Sequence, residues 1–515
     1  MATNHPSLRS RTTVDVDPTF SVTKINPSTG GQAGAVELTT ADGFAAAAGA
    51  AKAAQSEWAS VPAPIRGRAI AALGRLVEAN FEALAQVVTT EIGKPIAEAR
   101  GEVQEVIDTC DFFAAEGRRL YGQTVPSEMS SKSLFTRRRP VGTMAVITAG
   151  NFPVAVPSWY IVPALLAGNT TVWKPAEYAA ASADALWQLI RAAGIPEAAC
   201  QLVHADGPAT FAGLDASLHA GSIDKVGFTG SSAVGQEIGG LCGRHLQTPC
   251  LELGGKNPLL VWSDADLDLA VEGALFSGFG TAGQRCTSLG TVIAHEAVAD
   301  EFLARFNQAV STAVVGDPTR EDVLFGPLMS ERFAASFEQH LALIEDHHQV
   351  LGSTGTGRIS VDNPRPGFVG DAGGIYYHPT IAAGVRIDDA IANTETFGPL
   401  VGVATAADFD EAMSFANGHG YGLSASIYTS TPAIAFRFQD EISSGMVSIN
   451  NSTSGAEAHL PFGGNARSGN GSRQSGVWVL DQVTRWQSVN WDWSGRLQKA
   501  QMDTATISPE ADFRL

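Results

Sequence analysis

Two residues carry the most reactive chemistry in this chain. Cys286 stands in Gly283-Gln284-Arg285-Cys286-Thr287, with small residues before it and a cation, Arg285, beside it. A free thiol with a pKa of about 8.5 is only a few per cent ionised at neutral pH, so a nucleophilic cysteine needs a base or positive charge nearby. Glu252, in Leu251-Glu252-Leu253-Gly254-Gly255, is an acidic residue at the end of an apolar strand pattern. Burial there would raise its pKa toward a value useful for a general base. The plain alternatives are a buried filler cysteine and a salt-bridged structural glutamate, and residue types alone leave both open.

Glycine-rich stretches offer phosphate sites of unequal quality. A literal GxGxxG runs from Gly278 to Gly283, but it follows a helical pattern and no helix start follows it, so the strand-turn-helix setting of a dinucleotide loop is missing. Val226-Gly227-Phe228-Thr229-Gly230-Ser231-Ser232 fits better: a strand ends in Gly-Ser before a helix-like stretch. The helix N-terminus and its unshielded amides could hold a pyrophosphate, or the turn could simply cap a helix.

The elements that must position these residues follow from periodicity. Residues 39–58 and 63–118 are Ala-rich with helical apolar spacing, so the first quarter reads as long helices after a short extended start. From about 140, short β-branched runs ending in Gly, Pro or Asn alternate with helix-like stretches, the pattern of parallel βαβ units. A second such series from about 254 to 450 predicts a second α/β domain, divided from the first near Gly254 and Gly255. Residues 127–142 and 483–495 alternate polar with apolar or aromatic residues and could pair as a small accessory sheet, while 465–476 reads as a loop.

Composition excludes several classes. The chain has 515 residues, 44% apolar and 17% charged, with mean hydropathy +0.03, which rules out charge-driven disorder and suits two or three domains. Its 34 Lys+Arg against 53 Asp+Glu leave a net charge of −19, which disfavours nucleic acid and anionic membranes as partners. Five cysteines without CxxC pairs suggest neither a disulfide framework nor a thiolate metal site, so no metal is expected, and a reducing cytoplasm fits. The N-terminus lacks the apolar core of a secretory signal. The apolar run Met144–Gly168 carries Pro153, Pro157 and Pro163 and reads as buried strand, turn and helix rather than a membrane span.

Four motifs taken together, LELGGKNP, FGTAGQRC, ETFGPL at 395–400 and PFGGNARSG at 461–469, with 34 residues from Glu252 to Cys286, resemble the aldehyde dehydrogenase superfamily over nearly the whole chain. The resemblance implies an α/β fold of two parallel-sheet domains plus a small bridging β-sheet. Its segments are a cofactor domain over 1–124 and 144–253, a catalytic domain over 254–455, a bridging sheet over 125–143 and 478–500, an active-site loop over 456–477 and a tail over 501–515. It further implies a homodimer or homotetramer acting on a small aldehyde.

By this likeness Cys286 attacks the aldehyde carbon, and the resulting thiohemiacetal oxyanion is held by the Asn151 amide and the Cys286 backbone N–H. Hydride passes to a nicotinamide, and Glu252 then activates water to release a carboxylic acid. For the cofactor, Gly230 and Ser231 match the pyrophosphate turn, Lys174 and Glu177 the adenosine ribose, and Glu395 and Phe397 the nicotinamide ribose. A carboxylate at 177 accepts hydrogen bonds from ribose hydroxyls but repels a 2′-phosphate, which favours NAD over NADP. Lys256 and Pro258 look structural.

For the substrate, Arg285 resembles an anchor for a distal carboxylate, with an outward structural ion pair as the alternative. Ser454, Gly455 and Ala456 resemble the carboxyl-binding backbone of the aminoadipic semialdehyde branch, and Phe152 and Trp159 resemble tunnel walls. WKPAE at 173–177 and the Ser-Arg-Gln of GNGSRQSG depart from that branch. A short dicarboxylic semialdehyde such as 2-oxoglutarate semialdehyde (2,5-dioxopentanoate) is therefore favoured over aminoadipic semialdehyde and over neutral aliphatic or aromatic aldehydes. A CoA-acylating dehydrogenase, a redox-free thioester or ester hydrolase and a non-catalytic binding protein on the same fold are the rival readings.

Overall fold

The computed structural model describes residues 16–499 and 507–515, with side chains from Ser21 onward. Residues 1–15 of the first segment, residue 500 at the end of the bridging segment and 501–506 at the start of the tail therefore lie outside the described residues. The described chain opens on an antiparallel hairpin, β1 (Val16–Ile25) and β2 (Gln32–Thr39). Four helices follow: α1 (Ala41–Ser60), α2 (Ala63–Ala79), α3 (Phe81–Ile92) and α4 (Ile96–Glu116). Their ends are written locally. The Thr40 hydroxyl accepts the Gly43 N–H at the start of α1, and Gly93 closes α3 at φ +75°, a conformation glycine adopts without steric cost.

After β3 (Thr124–Val125) and β4 (Lys132–Pro140), the chain alternates β5 (Thr143–Ile147), α5 (Ala155–Ala167), β6 (Thr170–Lys174), α6 (Ala180–Ala192), β7 (Cys200–Leu202), α7 (Gly207–His219), β8 (Lys225–Thr229), α8 (Ser232–Arg244) and β9 (Cys250–Glu252). These strands form a parallel sheet in the order β7-β6-β5-β8-β9. β5, β6 and β8 are buried along their whole length, as expected of parallel strands covered by helices on both faces. All thirteen residues of α5 are buried too, so the apolar run from Met144 is a core strand and core helix. Among the described residues no helix is long and apolar enough to cross a membrane.

Strand order reverses between β5 and β8, and in an open α/β sheet the crevice for a ligand lies beyond the strand ends at that switch point. The ends here are Ile147 and Thr229, the latter running into Gly230 and Ser231.

A second sheet contains β10 (Asn257–Val261), β11 (Leu289–His295), β12 (Gln349–Leu351), β13 (Thr380–Ala383), β14 (Leu400–Ala406), β16 (Ser424–Tyr428) and β17 (Met446–Ile449), in the order β12-β13-β14-β11-β10-β16-β17. Only β12 runs antiparallel to its neighbour. α9 (Leu267–Phe279) connects β10 to the segment that bears Cys286. A short pair links β15 (Tyr421–Gly422) to β18 (Asn465–Ala466), inside the stretch read from sequence as a loop. Finally β19 (Thr484–Asp492) pairs antiparallel with β4 from Thr484↔Pro140 to Asp492↔Lys132, and β3 completes a three-stranded sheet. Residues 477–483, just before β19, are helical.

Candidate active site

One cavity of about 1020 Å³ runs from the switch point of the first sheet to the segment before β11, and most of the predicted residues meet on it. Lys174, Glu177, Gly230 and Ser231 line it at the strand ends, Glu395 and Phe397 on the second domain. Asn151, Cys286, Phe152 and Trp159 line it further on, together with Arg285, Ser454, Gly455 and Ala456. Of Glu252 and its neighbours, Leu253 and Gly254 line the cavity and the Glu252 side chain does not.

Cys286 is held by its backbone. Its carbonyl accepts the Asn257 side-chain amide at 2.8 Å, and the Asn151 amide donates to the Gln284 carbonyl at 2.8 Å, so the predicted oxyanion donor is tied to the nucleophile's own segment. The Gln284 side chain in turn donates to the Thr281 carbonyl at 3.1 Å and accepts the Met329 N–H at 3.0 Å. Burial pushes the Cys286 thiol well above its ordinary range, and the carboxylates Glu252 and Glu395 push it the same way. The resting residue is therefore a thiol. Arg285 does not offset this, because its Nη2 pairs with Glu98, its Nε faces the Thr281 hydroxyl at 3.4 Å, and its guanidinium lies over the Phe276 ring at 4.4 Å. The ion pair weighed as the alternative for Arg285 is thus present, while the residue still borders the cavity.

Glu252 is 1% exposed, and neither carboxylate oxygen has a hydrogen-bond partner. Burial raises its pKa far above the carboxylate range, with the Gly464 backbone and Arg473 opposing weakly. Its own carbonyl accepts the Gly230 N–H at 3.1 Å, which couples the base strand to the glycine turn after β8.

The cofactor residues pass a fit test on shape. Ser231 caps α8, leaving the helix N-terminus open on the cavity. A Cβ on Gly254 would come within 1.9 Å of Glu395 Oε2, so only glycine lets that carboxylate reach the cavity wall, where Oε1 accepts the Gly255 N–H at 3.3 Å. Burial pushes Glu395 up to about 7. Lys174 and Glu177 sit 3.3 Å apart, with the lysine buried and lowered in pKa by that burial and the glutamate partly open to solvent. Phe397 takes φ +42°, a left-handed conformation uncommon for a bulky residue, and its ring packs 5.7 Å from Phe333. Lys256 is buried without a hydrogen-bond partner, and burial brings it down to about 7 against the pull of Glu395.

Sequence reading missed a set of carboxylates on α4, with Glu102 buried and Glu98 and Glu105 half-buried. Glu98, Glu102 and Glu105 recur at i, i+4 and i+7 and all border the cavity. Lys94 pairs with Glu102 and lies 3.5 Å over the Phe152 ring. Burial and the neighbouring Glu102 push Glu105 up to about 8, and its Oε1 has no hydrogen-bond partner. The available signal was carboxylates on a helix whose neighbours Ala99, Val103 and Val106 are core residues. Away from the cavity, His347, His348 and Asp389 bring ligand atoms within 4.8 Å. His348 Nδ1 accepts the Glu345 N–H at 2.9 Å, however, so its proton sits on the nitrogen that faces Asp389, an arrangement for a hydrogen bond rather than a metal.

A two-sheet α/β fold whose switch-point crevice continues to a cysteine suits a dinucleotide-dependent enzyme with a thiol nucleophile. The comparisons agree: the aldehyde dehydrogenase family profile matches residues 15–489, and the chain belongs to that family. It is 38% identical over 444 residues to an alpha-ketoglutarate semialdehyde dehydrogenase of Haloferax volcanii, covering 85% of this chain and 89% of the relative. It is 35% identical to the alpha-aminoadipic semialdehyde dehydrogenase of Bos taurus, over 88% and 82% of the two chains. The crystal structure of betaine aldehyde dehydrogenase from Staphylococcus aureus in complex with NAD+ superposes with a TM-score of 0.88 at 26% identity, over 94% of each chain.

Proposed function

We propose that this chain oxidises a short semialdehyde bearing a distal carboxylate, with 2-oxoglutarate semialdehyde as the first candidate, to the corresponding acid, using NAD. The observation that carries this reading is the composition of the cavity at Cys286, where Arg285 and the Ser454-Gly455-Ala456 backbone border the same space as the nucleophile. Gly455 adopts φ +149°, and no atom lies within 4 Å of where its Cβ would be, so the peptide there is open to a ligand. The Haloferax relative's named activity points the same way. Recognition of the carboxylate falls first to these backbone amides, with Arg285 Nη1, the nitrogen not used by Glu98 or Thr281, adding a charge-assisted bond.

In this reading Cys286 loses its proton as it attacks the carbonyl carbon, and the oxyanion that forms is stabilised by the Asn151 amide and the Cys286 N–H. When bound, the nicotinamide supplies the hydride acceptor. Glu252, once deprotonated, takes a proton from water attacking the thioester, and the acid leaves. Lys174, Glu177, Gly230, Ser231, Glu395 and Phe397 are the residues that would hold the cofactor, and the carboxylate of Glu177 supports NAD over NADP because a 2′-phosphate beside it would meet like charge. Trp159, buried, and Phe152, half-buried, line the same cavity as Cys286 and serve as apolar walls.

A second reading, aminoadipic semialdehyde, is favoured by one feature: the carboxyl of Glu105, which borders the cavity with its Oε1 unpartnered among the described residues and which a substrate ammonium could ion-pair. Assembly into a homodimer or homotetramer is part of the proposal, supported by Trp486 and Trp491 on β19, 51% and 65% exposed. A cytoplasmic setting suits the five unpaired cysteines. The test is NADH formation from 2-oxoglutarate semialdehyde, aminoadipic semialdehyde and a neutral aliphatic aldehyde, each with NAD and NADP and without CoA. A kcat/KM preference of about tenfold or more for a carboxylated substrate, some 1.4 kcal/mol, supports the reading. Preference for the neutral aldehyde removes the carboxylate site, and a requirement for CoA removes the hydrolytic step.

A further inference from the structure

Two carboxylates of α4 each hold one half of the reacting pair. Glu102 Oε1 accepts the N–H groups of Val154 and Ala155 at 2.8 and 3.1 Å, capping the start of α5 three residues after Asn151. Glu98 reaches the other half. Its Oε1 accepts the Thr281 N–H at 2.8 Å, and its Oε2 accepts from both the Thr281 hydroxyl and Arg285 Nη2. Burial alone would raise Glu98, but Arg285, Thr281 and Lys94 outweigh it and keep the group an anion.

The segment so gripped is strained. Thr281 and Ala282 take φ +51° and +54°, two consecutive left-handed residues that are not glycine, and they are buried. Such a turn persists only where its surroundings over-determine it, and strain of this kind gathers at functional sites. Four residues on lies Cys286, and between them Gln284 presents the carbonyl that receives the Asn151 amide.

We propose that Glu98 is a positioning residue for the oxidation: its carboxylate clamps the strained 281–285 turn, so that Cys286 is presented to the Asn151 amide, and Arg285 serves first as a ligand of that clamp. The clamp rests on the reading of Cys286 as nucleophile, and it acts on the chemical step rather than on the carboxylate end of the substrate. Removing the anion without changing its shape should therefore slow turnover of charged and neutral aldehydes alike.

The experiment uses the full chain carrying Glu98→Gln, with two readouts. Steady-state kinetics with a carboxylated and a neutral aldehyde should show kcat reduced about 10- to 100-fold for both and KM within about threefold. Iodoacetamide alkylation of Cys286, followed by peptide mass spectrometry without aldehyde or cofactor, should change in rate by about fivefold or more, because the thiol's setting has moved. Unchanged kcat and alkylation overturn the proposal, and so does a loss confined to KM for the carboxylated substrate, which would make Glu98 a tuner of the substrate site. Should Glu98→Gln fail to fold, Thr281→Val deletes a single hydroxyl ligand of the clamp. It should lower kcat about threefold or more for both substrates, and unchanged kcat overturns the proposal. Retained turnover in Cys286→Ala would refute the nucleophile itself, whatever Glu98→Gln does.

Discussion

The segment of Cys286 and the strand of Glu252, the proposed nucleophile and the proposed base, are built in opposite ways. Around Cys286 polar groups are tied down: Thr281 and Arg285 to Glu98, Gln284 to Met329 and Asn151, and the Cys286 carbonyl to Asn257. Glu252 is 1% exposed, yet among the described residues no group sits within close hydrogen-bond geometry of its carboxyl oxygens, and the Gly464 backbone and Arg473 offset its burial only in part. A nucleophile and its oxyanion donor gain from being held within a fraction of an ångström, since fixed geometry lowers the barrier without reorganisation. A general base has to change protonation state, and a deeply buried carboxyl with little compensating polar contact favours its neutral form until a change in its surroundings favours the anion.

The bluntest way to break this comparison is Cys286→Ala. Steady-state NADH formation should fall by about 10⁴-fold or more, because no other residue at the site replaces the thiol. Glu252→Gln should cost about 10²- to 10⁴-fold in steady-state turnover while a single-turnover burst of NADH survives, since acylation precedes the step that needs the base. That variant also carries a pH signature. A carboxyl raised above its unfolded value near 4.3 holds a proton in the folded chain that the unfolded chain has lost, so wild-type stability falls as pH climbs through the folded value. Glu252→Gln should therefore melt at higher temperature than wild type at pH 8, with the difference closing toward pH 4, and thermal scans across that range check it.

Smaller effects sharpen the contrast. Arg285→Ala should lower kcat about 10- to 100-fold for charged and neutral aldehydes alike, by loosening the 281–285 turn, and should in addition raise KM for carboxylated substrates, which lose the Nη1 bond. A loss seen only with carboxylated substrates would return Arg285 to the role of substrate anchor. At the cofactor end, where Lys174 is buried and Glu177 partly open to solvent, Glu177→Ser should shift the NAD-to-NADP ratio of kcat/KM toward NADP by about 10- to 100-fold. Least of all, Gly455→Ala should raise KM for the carboxylated substrate about two- to fivefold, the cost of a side chain at φ +149°, with kcat kept.

Much of the fold was legible. Helical spacing in 39–58 and 63–118 and the strand-then-glycine runs after 140 predict the elements observed, because parallel strands buried on both faces and amphipathic helices leave periods that a sequence displays directly. The pairing of β4 with β19 joins stretches about 350 residues apart, yet both carried the same polar and aromatic alternation. Less legible were the short strand at Asn465–Ala466 inside an expected loop and the helical residues 477–483 before β19, where two to four residues give no period to read.

The site divides in the same manner. Motifs marked Cys286, Glu252, Asn151 and the proposed cofactor residues through their resemblance to a family, and all of them but Glu252 line one cavity. The motifs were silent on Glu98, Glu102, Glu105 and Lys94, since charged side chains usually face solvent and only the packing around α4 buries Lys94 and Glu102 and half-buries Glu98 and Glu105. Arg285 shows the boundary most clearly. Sequence determined that a cation precedes the nucleophile, and the tertiary structure decided where its charge goes, because an ion pair depends on a carboxylate 187 residues away that no local pattern connects to it.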